Sequence, residues 1–436
     1  MIKEKIYYML EIENTSPLSI GGGIDDVTDS DILKDSEGNP FIPATTLAGV
    51  MLHYLNTEEQ KVFVPKIAIK TNNKTKEINV LSPFFVSDAQ ITKNTGVSIR
   101  DGIKVDENKI TIDGNKYNVE ILEAGSEFTF RMELTVRDND DSAKMKQIVQ
   151  KLLANINAGN ILVGAKTTRG FGKLKIKHVY AKSFDASNLA ELVSFNKFNK
   201  DQYEEAKITY TETDDTYDTI EVTLKQLGGI NIRSYSAKKD DVDYRSICSN
   251  GVPVIPGTSW SGLIRRQVNY YNNKICKQGF TKGNIDDWFG YVKESNGSAK
   301  ASSIIVEESR ISNSKTFRLT RNKIDRFSGG SAESALYSEE IVFNGDTYLT
   351  IKVKKELNGQ DNKYIIGLIA LVIKDIANGL VAIGGQTAIG RGLFEVTDVI
   401  KNGTEIAYDN SQKTANKTES LDDMIAEIYK VATSNK

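Results

Sequence analysis

Pro253-Val254-Ile255-Pro256-Gly257-Thr258-Ser259-Trp260-Ser261-Gly262-Leu263-Ile264-Arg265-Arg266 decides how the rest of the chain is read. A residue before proline is pushed out of the α region, so the segment enters extended. Gly257 turns freely, Thr258 or Ser259 suits an N-cap, and an apolar-periodic helix with a basic pair follows. A helix opened by glycine and hydroxyl residues suits an anion such as phosphate, although an ordinary strand–turn–helix junction has the same pattern.

The stretch occurs twice. Pro40-Phe41-Ile42-Pro43-Ala44-Thr45-Thr46-Leu47-Ala48-Gly49-Val50 repeats it 213 residues earlier, Pro43 standing for Pro256. A second pair follows in the same order. Gly164-Ala165-Lys166-Thr167-Thr168-Arg169-Gly170-Phe171-Gly172 matches Gly384-Gly385-Gln386-Thr387-Ala388-Ile389-Gly390-Arg391-Gly392, 220 residues on. The chain is therefore an internal duplication with a period too long for a solenoid.

Hydropathy supports two like halves. Ile6, Tyr8, Leu10 and Ile12 alternate as a half-buried strand, and Phe128 to Val136 alternate again. Ile148, Leu152, Leu153 and Ile156 mark a helix from Asp141, and a closing strand spans 173–180. Ile220, Val222 and Leu224 restart the order, Gly228-Gly229 echoing Gly21-Gly22, and strands near 348–353 and 393–398 flank a helix over 364–378. Each half reads β–α–(irregular)–β–α–β, an α+β, ferredoxin-like (RRM-like) plan with insertions. The expected domains are 1–183 and 218–402, with a polar connection at 184–217 and a tail with a short helix at 403–436.

These motifs resemble the RAMP superfamily of CRISPR-associated RNA-binding proteins, and most closely the backbone subunits of type III effector complexes, here as a fused tandem pair. The resemblance implies a ferredoxin-like fold in each half and partners in guide crRNA, complementary target RNA and other effector subunits.

Glycines let backbone N–H groups approach a phosphate with no Cβ in the way, or simply make a tight helix–strand turn. The resemblance places the guide backbone on Gly164, Gly170, Gly172, Gly384, Gly385, Gly390 and Gly392. Lys166, Thr167, Arg169, Thr387 and Arg391 add charge or hydroxyls. It also places phosphates on Gly257, Ser259, Arg265 and Arg266. The first junction departs from the pattern, with Ala44 for glycine and no following basic pair. Arg318, Arg321 and Arg326, interleaved with Phe317 and Phe327, suit an element that tracks a strand and wedges bases. By resemblance they form a thumb.

The acidic segment before each junction is where the resemblance implies chemistry: an aspartate that cuts target RNA with Mg²⁺ or another divalent metal. Counting back from the prolines selects Asp29 and, with one residue deleted, Asp243; Asp25, Asp26 and Asp241 are rivals. Magnesium takes hard oxygen ligands and keeps several waters, so one carboxylate suits it. The alternative is a crRNA-binding backbone or capping subunit that cuts nothing.

Composition narrows the rest. A chain of 436 residues suits two or three domains. A formal charge of −2 leaves no global basic footprint, so nucleic-acid binding must use local clusters of Lys and Arg. Cys248 and Cys276 have no metal-like spacing and fit a reducing cytosol. No apolar run nears 18 residues, so no membrane partner is expected and the location is cytoplasmic. His53 and His178 are the only histidines. His53 falls on the first helix, where related guide-processing ribonucleases place a general base; a lone helical histidine is more often packed.

Overall fold

The computed structural model describes residues 1–23, 29–71, 74–79, 81–105, 111–185, 188–211, 216–235, 242–276, 285–293, 297–333, 335–357 and 360–434. They form two compact units. The first comprises Met1–Ile103, Asp113–Thr167 and Phe171–Asp214; the second comprises Lys104–Ile112, Thr168–Gly170 and Asp215–Lys436.

In the first unit the elements are β1 (Ile2–Asn14), α1 (Ala44–Tyr54), β2 (Phe84–Val86), β3 (Ala89–Lys93), β4 (Val97–Val105), β5 (Thr111–Leu122), β6 (Glu127–Arg137), α2 (Ser142–Asn157) and β7 (Leu174–Asp185). β1 is the central strand, antiparallel to both β6 and β7, with Tyr8 opposite Met132 on one side and Ala181 on the other. β2 and β3 both pair with β6. The order β7–β1–β6–β3 is that of a ferredoxin-like sheet with both of its crossovers helical.

Alternation makes this core. Phe128, Phe130, Met132, Leu134 and Val136 of β6 are buried together with Met145, Ile148, Val149, Leu152, Leu153 and Ile156 of α2. Asp141 caps α2 by accepting the N–H of Lys144 at 3.0 Å. β1 differs from the half-buried strand its pattern predicts, because Tyr7 and Met9 on its other face are buried too. They pack with Phe184 and Tyr203, and Phe195 stands 5.0 Å from Tyr7. The stretch expected as an open connection thus covers that face, and Glu204–Glu205 pairs with β7.

The second unit repeats the plan with β8 (Tyr217–Leu227), β9 (Arg233–Tyr235), β10 (Tyr244–Ser246), α3 (Gly257–Cys276), β11 (Ile304–Val306), β12 (Lys315–Arg321), β13 (Tyr337–Phe343), β14 (Asp346–Lys354), α4 (Lys363–Ala377), β15 (Leu393–Lys401) and α5 (Leu421–Ser434). Its central sheet runs β11–β14–β8–β15, ferredoxin-like again. The tail is less free than its polarity suggests. Thr404–Ile406 extends the sheet beside β15, and α5 buries Leu421, Met424 and Ile428. Gly367 of α4 admits that contact, since a Cβ there would lie 2.6 Å from Ile428 Cγ1. The mainly apolar α4 is buried as expected, and its Asp375 accepts bonds at 2.8 Å from Gln267 Nε2 and Tyr271 Oη of α3.

Among the described residues no helix is long and apolar enough to cross a membrane.

Candidate nucleic-acid interface

The two aspartates singled out by counting back from the prolines occupy corresponding places, each with its carboxylate on a backbone N–H of the facing strand. In the first unit Asp29 N–H donates to Asn118 O at 3.1 Å, and Asn118 N–H donates to Asp29 Oδ2 at 2.7 Å. In the second, Ser338 N–H donates to Asp243 Oδ2 at 2.7 Å, and Asp243 N–H reaches Ser338 Oγ at 3.2 Å. The next residues also correspond: Ser30 bridges Val119 in parallel, as Tyr244 pairs in parallel with Glu339. Both carboxylates are exposed. The backbone N–H of Ser338, then its hydroxyl, holds the Asp243 carboxyl below the usual carboxylate range. The rivals Asp25, Asp26 and Asp241 lie outside the described residues. Among the described residues no group of three or more His, Cys, Asp or Glu could hold a metal ion.

The glycine-rich loops share their backbone path. Gly164 and Gly384 both have φ 87°, and Lys166 and Gln386, at the same loop position, are left-handed at 58° and 59°. Gly172 and Gly392 close each loop so tightly that a Cβ would lie 2.0 Å from Val163 O and 1.8 Å from Ile383 O. Those two glycines are thus required by the turn itself. Gly390 is open, with nothing within 4 Å of a Cβ position. Thr167 and Thr387 each begin a single 3₁₀ turn.

The expected cations fare differently. Lys166 Nζ stands 4.5 Å over the Tyr117 ring. Burial first, then the neighbouring Arg100 charge, pushes its ammonium down to about 8. Arg391 turns inward. It is 5% exposed and makes two bonds, of 3.0 and 2.9 Å, to the fully buried Glu339. Arg321 also reaches Glu339, at 2.8 Å. Burial raises the Glu339 carboxyl, but Arg391, Arg321 and Arg233 outweigh it and the net direction is down. Arg391 is therefore an internal counter-charge in this fold. In the first unit the matching pair is apolar: Phe171 packs with Val119 and Ile121.

Arg169, in the 168–170 stretch of the second unit, donates to Ser261 Oγ. Gly257 opens α3 where a Cβ would lie 2.3 Å from Val306 O, and Ser259 N–H caps back to Pro256 O at 2.9 Å. Arg265 pairs with Asp286 at 3.0 Å, and burial lowers the Arg266 guanidinium. Arg318, exposed on β12 of the β12–β13 hairpin, reaches Glu340 at 3.3 Å. Arg326 and the fully exposed Phe327 sit at its tip, in a turn closed by Asp325 accepting the N–H groups of Phe327 and Ser328. His53 is exposed on the last turn of α1.

Several residues escaped sequence reasoning. Arg233 lies 4.5 Å over the Tyr244 ring, beside Gly385, where a Cβ would stand 3.6 Å from its Nε. Asn118, Ser338 and Glu339 sit on β5 and β13, stretches that the motifs left unread. The proposed glycine echo also shifts. Ala165 N–H bonds Ser19 O at 2.7 Å as Gly385 N–H bonds Asn231 O at 2.9 Å. Ser19 therefore matches Asn231, and Gly21 matches Arg233 rather than Gly228. At that matched position Ser19 Oγ and both amide atoms of Asn231 are buried with no hydrogen-bond partner among the described residues.

No curated protein matches the chain in sequence. A family model, that of the RAMP superfamily, matches residues 11–175 and 238–395, one region in each half. With two ferredoxin-like units, two like loops and two like aspartate clasps, the chain belongs to the RAMP superfamily of CRISPR-associated RNA-binding proteins.

Proposed function

We propose that the chain is a double backbone subunit of a type III CRISPR ribonucleoprotein effector, which holds guide crRNA and cleaves the paired target RNA at Asp29 and Asp243. The observation that carries this reading is the duplicated clasp: the two aspartates chosen by motif spacing each hold a carboxylate oxygen on a backbone N–H at 2.7 Å and remain exposed. Guide pairing reads the sequence, while the protein holds backbone and shape.

Asp29 and Asp243 would each offer a hard divalent ion a carboxylate, which suits a magnesium that keeps most of its waters. Such a metal, when bound, would position a 2′-hydroxyl or offset charge developing at the scissile phosphate. The chain's own part is to fix each carboxylate by its backbone bond. The glycine-rich loops and Lys166 hold the RNA beside it, and the β12–β13 hairpin presents Phe327 to the bases. One such chain spans only part of a guide, so other effector subunits complete the assembly.

A second reading, a binding subunit that cuts nothing, is favoured by the lack, among the described residues, of any group of three or more metal-ligating side chains. The reconstituted complex with labelled target RNA and Mg²⁺ separates the two. Asp29→Ala and Asp243→Ala should each abolish one distinct cut with target binding retained. Binding without any cut in the wild type would establish the second reading.

A further inference from the structure

The two glycine-rich loops keep one backbone path and differ in where the positive charge comes from. In the first, Lys166 supplies it from the loop itself, its Nζ 4.5 Å over Tyr117. In the second, the same left-handed position is Gln386, and Ile389 stands in the place of Arg169. The loop's remaining cation, Arg391, is spent inside the fold on Glu339. The second loop thus presents no exposed cation of its own.

Arg233 stands beside it instead. It is exposed, on β9 across from the loop, and its guanidinium lies 4.5 Å over the Tyr244 ring. Its neighbour Asn231 is tied to Gly385 by the backbone bond that ties Ser19 to Ala165 in the first unit. Where Arg233 stands, the first unit has Gly21. The charge has moved from the loop to the facing strand, and each cation rests on a tyrosine. In both units that tyrosine adjoins the aspartate clasp: Tyr117 precedes Asn118, and Tyr244 follows Asp243. Arg233 acts on the buried Glu339 carboxylate at longer range, but among the described residues it forms no ion pair within 4 Å. A guanidinium stacked on an aromatic face and open on its edge suits a phosphate bidentately.

We infer that Arg233 is the phosphate-binding cation of the second glycine-rich loop, replacing there the lysine of the first, and that the phosphate is an RNA backbone group beside Asp243. This rests on the RNA-holding reading above.

The test is the salt dependence of single-stranded RNA binding by the full chain. Each lost phosphate contact lowers the slope of log K against log salt by about 0.7. Arg233→Gln and Lys166→Gln should each lower it by about that amount, and the double variant by about twice it. Arg233→Lys should restore most of the slope, and an unchanged thermal midpoint shows that the exposed substitution leaves the fold intact. A slope unmoved by Arg233→Gln but lowered by Lys166→Gln overturns the inference and leaves RNA binding at the first loop standing. A wild-type chain that binds no RNA overturns both.

Discussion

Asp243 Oδ2 accepts the backbone N–H of Ser338 at 2.7 Å and its hydroxyl at 3.1 Å, so a main-chain donor fixes this carboxylate in place. Asn118 does the same for Asp29 with its own backbone N–H. Because the donor is main chain, the clasp outlives side-chain changes at 338. Ser338→Ala should slow the second cut by roughly tenfold or less, since the longer, exposed hydroxyl bond contributes about 0.5–1.5 kcal/mol and the main-chain bond remains. Asp243→Asn should abolish that cut with target binding retained. Single-turnover cleavage mapped on a sequencing gel reads both, and an undiminished second cut in Asp243→Asn would move the chemistry elsewhere.

Lys166 makes RNA binding depend on pH. Its ammonium is pushed down to about 8 by burial and then by Arg100. A phosphate binds the charged form, so affinity should fall as pH rises above about 8 and level off once the bound lysine also loses its proton. Losing one charge-assisted bond of about 1.5 kcal/mol weakens binding roughly tenfold. Lys166→Arg should flatten the profile from pH ~7 to ~10, because a guanidinium keeps its proton throughout. Filter binding across that range is the measurement; a fall of the same size in Lys166→Arg would assign the titration to another group.

Asn231 holds both of its amide atoms in the interior with no partner among the described residues, and it is fully buried. An unmade buried hydrogen bond costs about 1–3 kcal/mol. Asn231→Leu, which matches its branching and number of heavy atoms, should raise the thermal midpoint of the second unit by a few degrees, at about 2–4 °C per kcal/mol for a unit of this size. It should also weaken RNA binding if the amide turns to the ligand at the Gly384–Gly385 loop. Calorimetry of the variant decides the first part; a lowered midpoint in both Asn231→Leu and the smaller Asn231→Val would overturn it.

Much of this was legible in the sequence because it rests on local rules. Alternation in Phe128–Val136, helical spacing from Ile148 to Ile156 and the repeated proline junction fix strands, helices and the duplication. Arg391 was not legible. A basic residue in a glycine-rich loop reads as a ligand for an anion, and its partner Glu339 lies 52 residues away on a strand that no motif marks. Arg233 was missed for the converse reason: it faces the loop across space, and in sequence it is one arginine among ordinary polar residues. The burial of Tyr7 and Met9 was hidden because their cover, Phe195 and Tyr203, comes from a stretch whose polarity reads as a connection.

Glu339 and Arg391 stand where the first unit has Val119 and Phe171, so the duplication itself proposes the control experiment. Removing one partner of a buried ion pair costs about 3–5 kcal/mol because the other charge is stranded. Arg391→Ala should fall at the low end, since Arg321 remains 2.8 Å from Glu339. Replacing both, Glu339→Val with Arg391→Phe, puts the apolar pair of the first unit into the second. Buried pairs replaced by apolar residues of similar volume are often neutral or stabilising. Arg321, about a third exposed, must then turn its buried Nε out to water, a smaller cost than stranding Arg391. Thermal unfolding of the two single variants and the double should therefore show strong coupling, with the double near wild type. RNA binding by the double should be unchanged, because Arg391 is inward and Arg233 carries the charge. Lost binding in a double variant that folds normally would return Arg391 to the RNA.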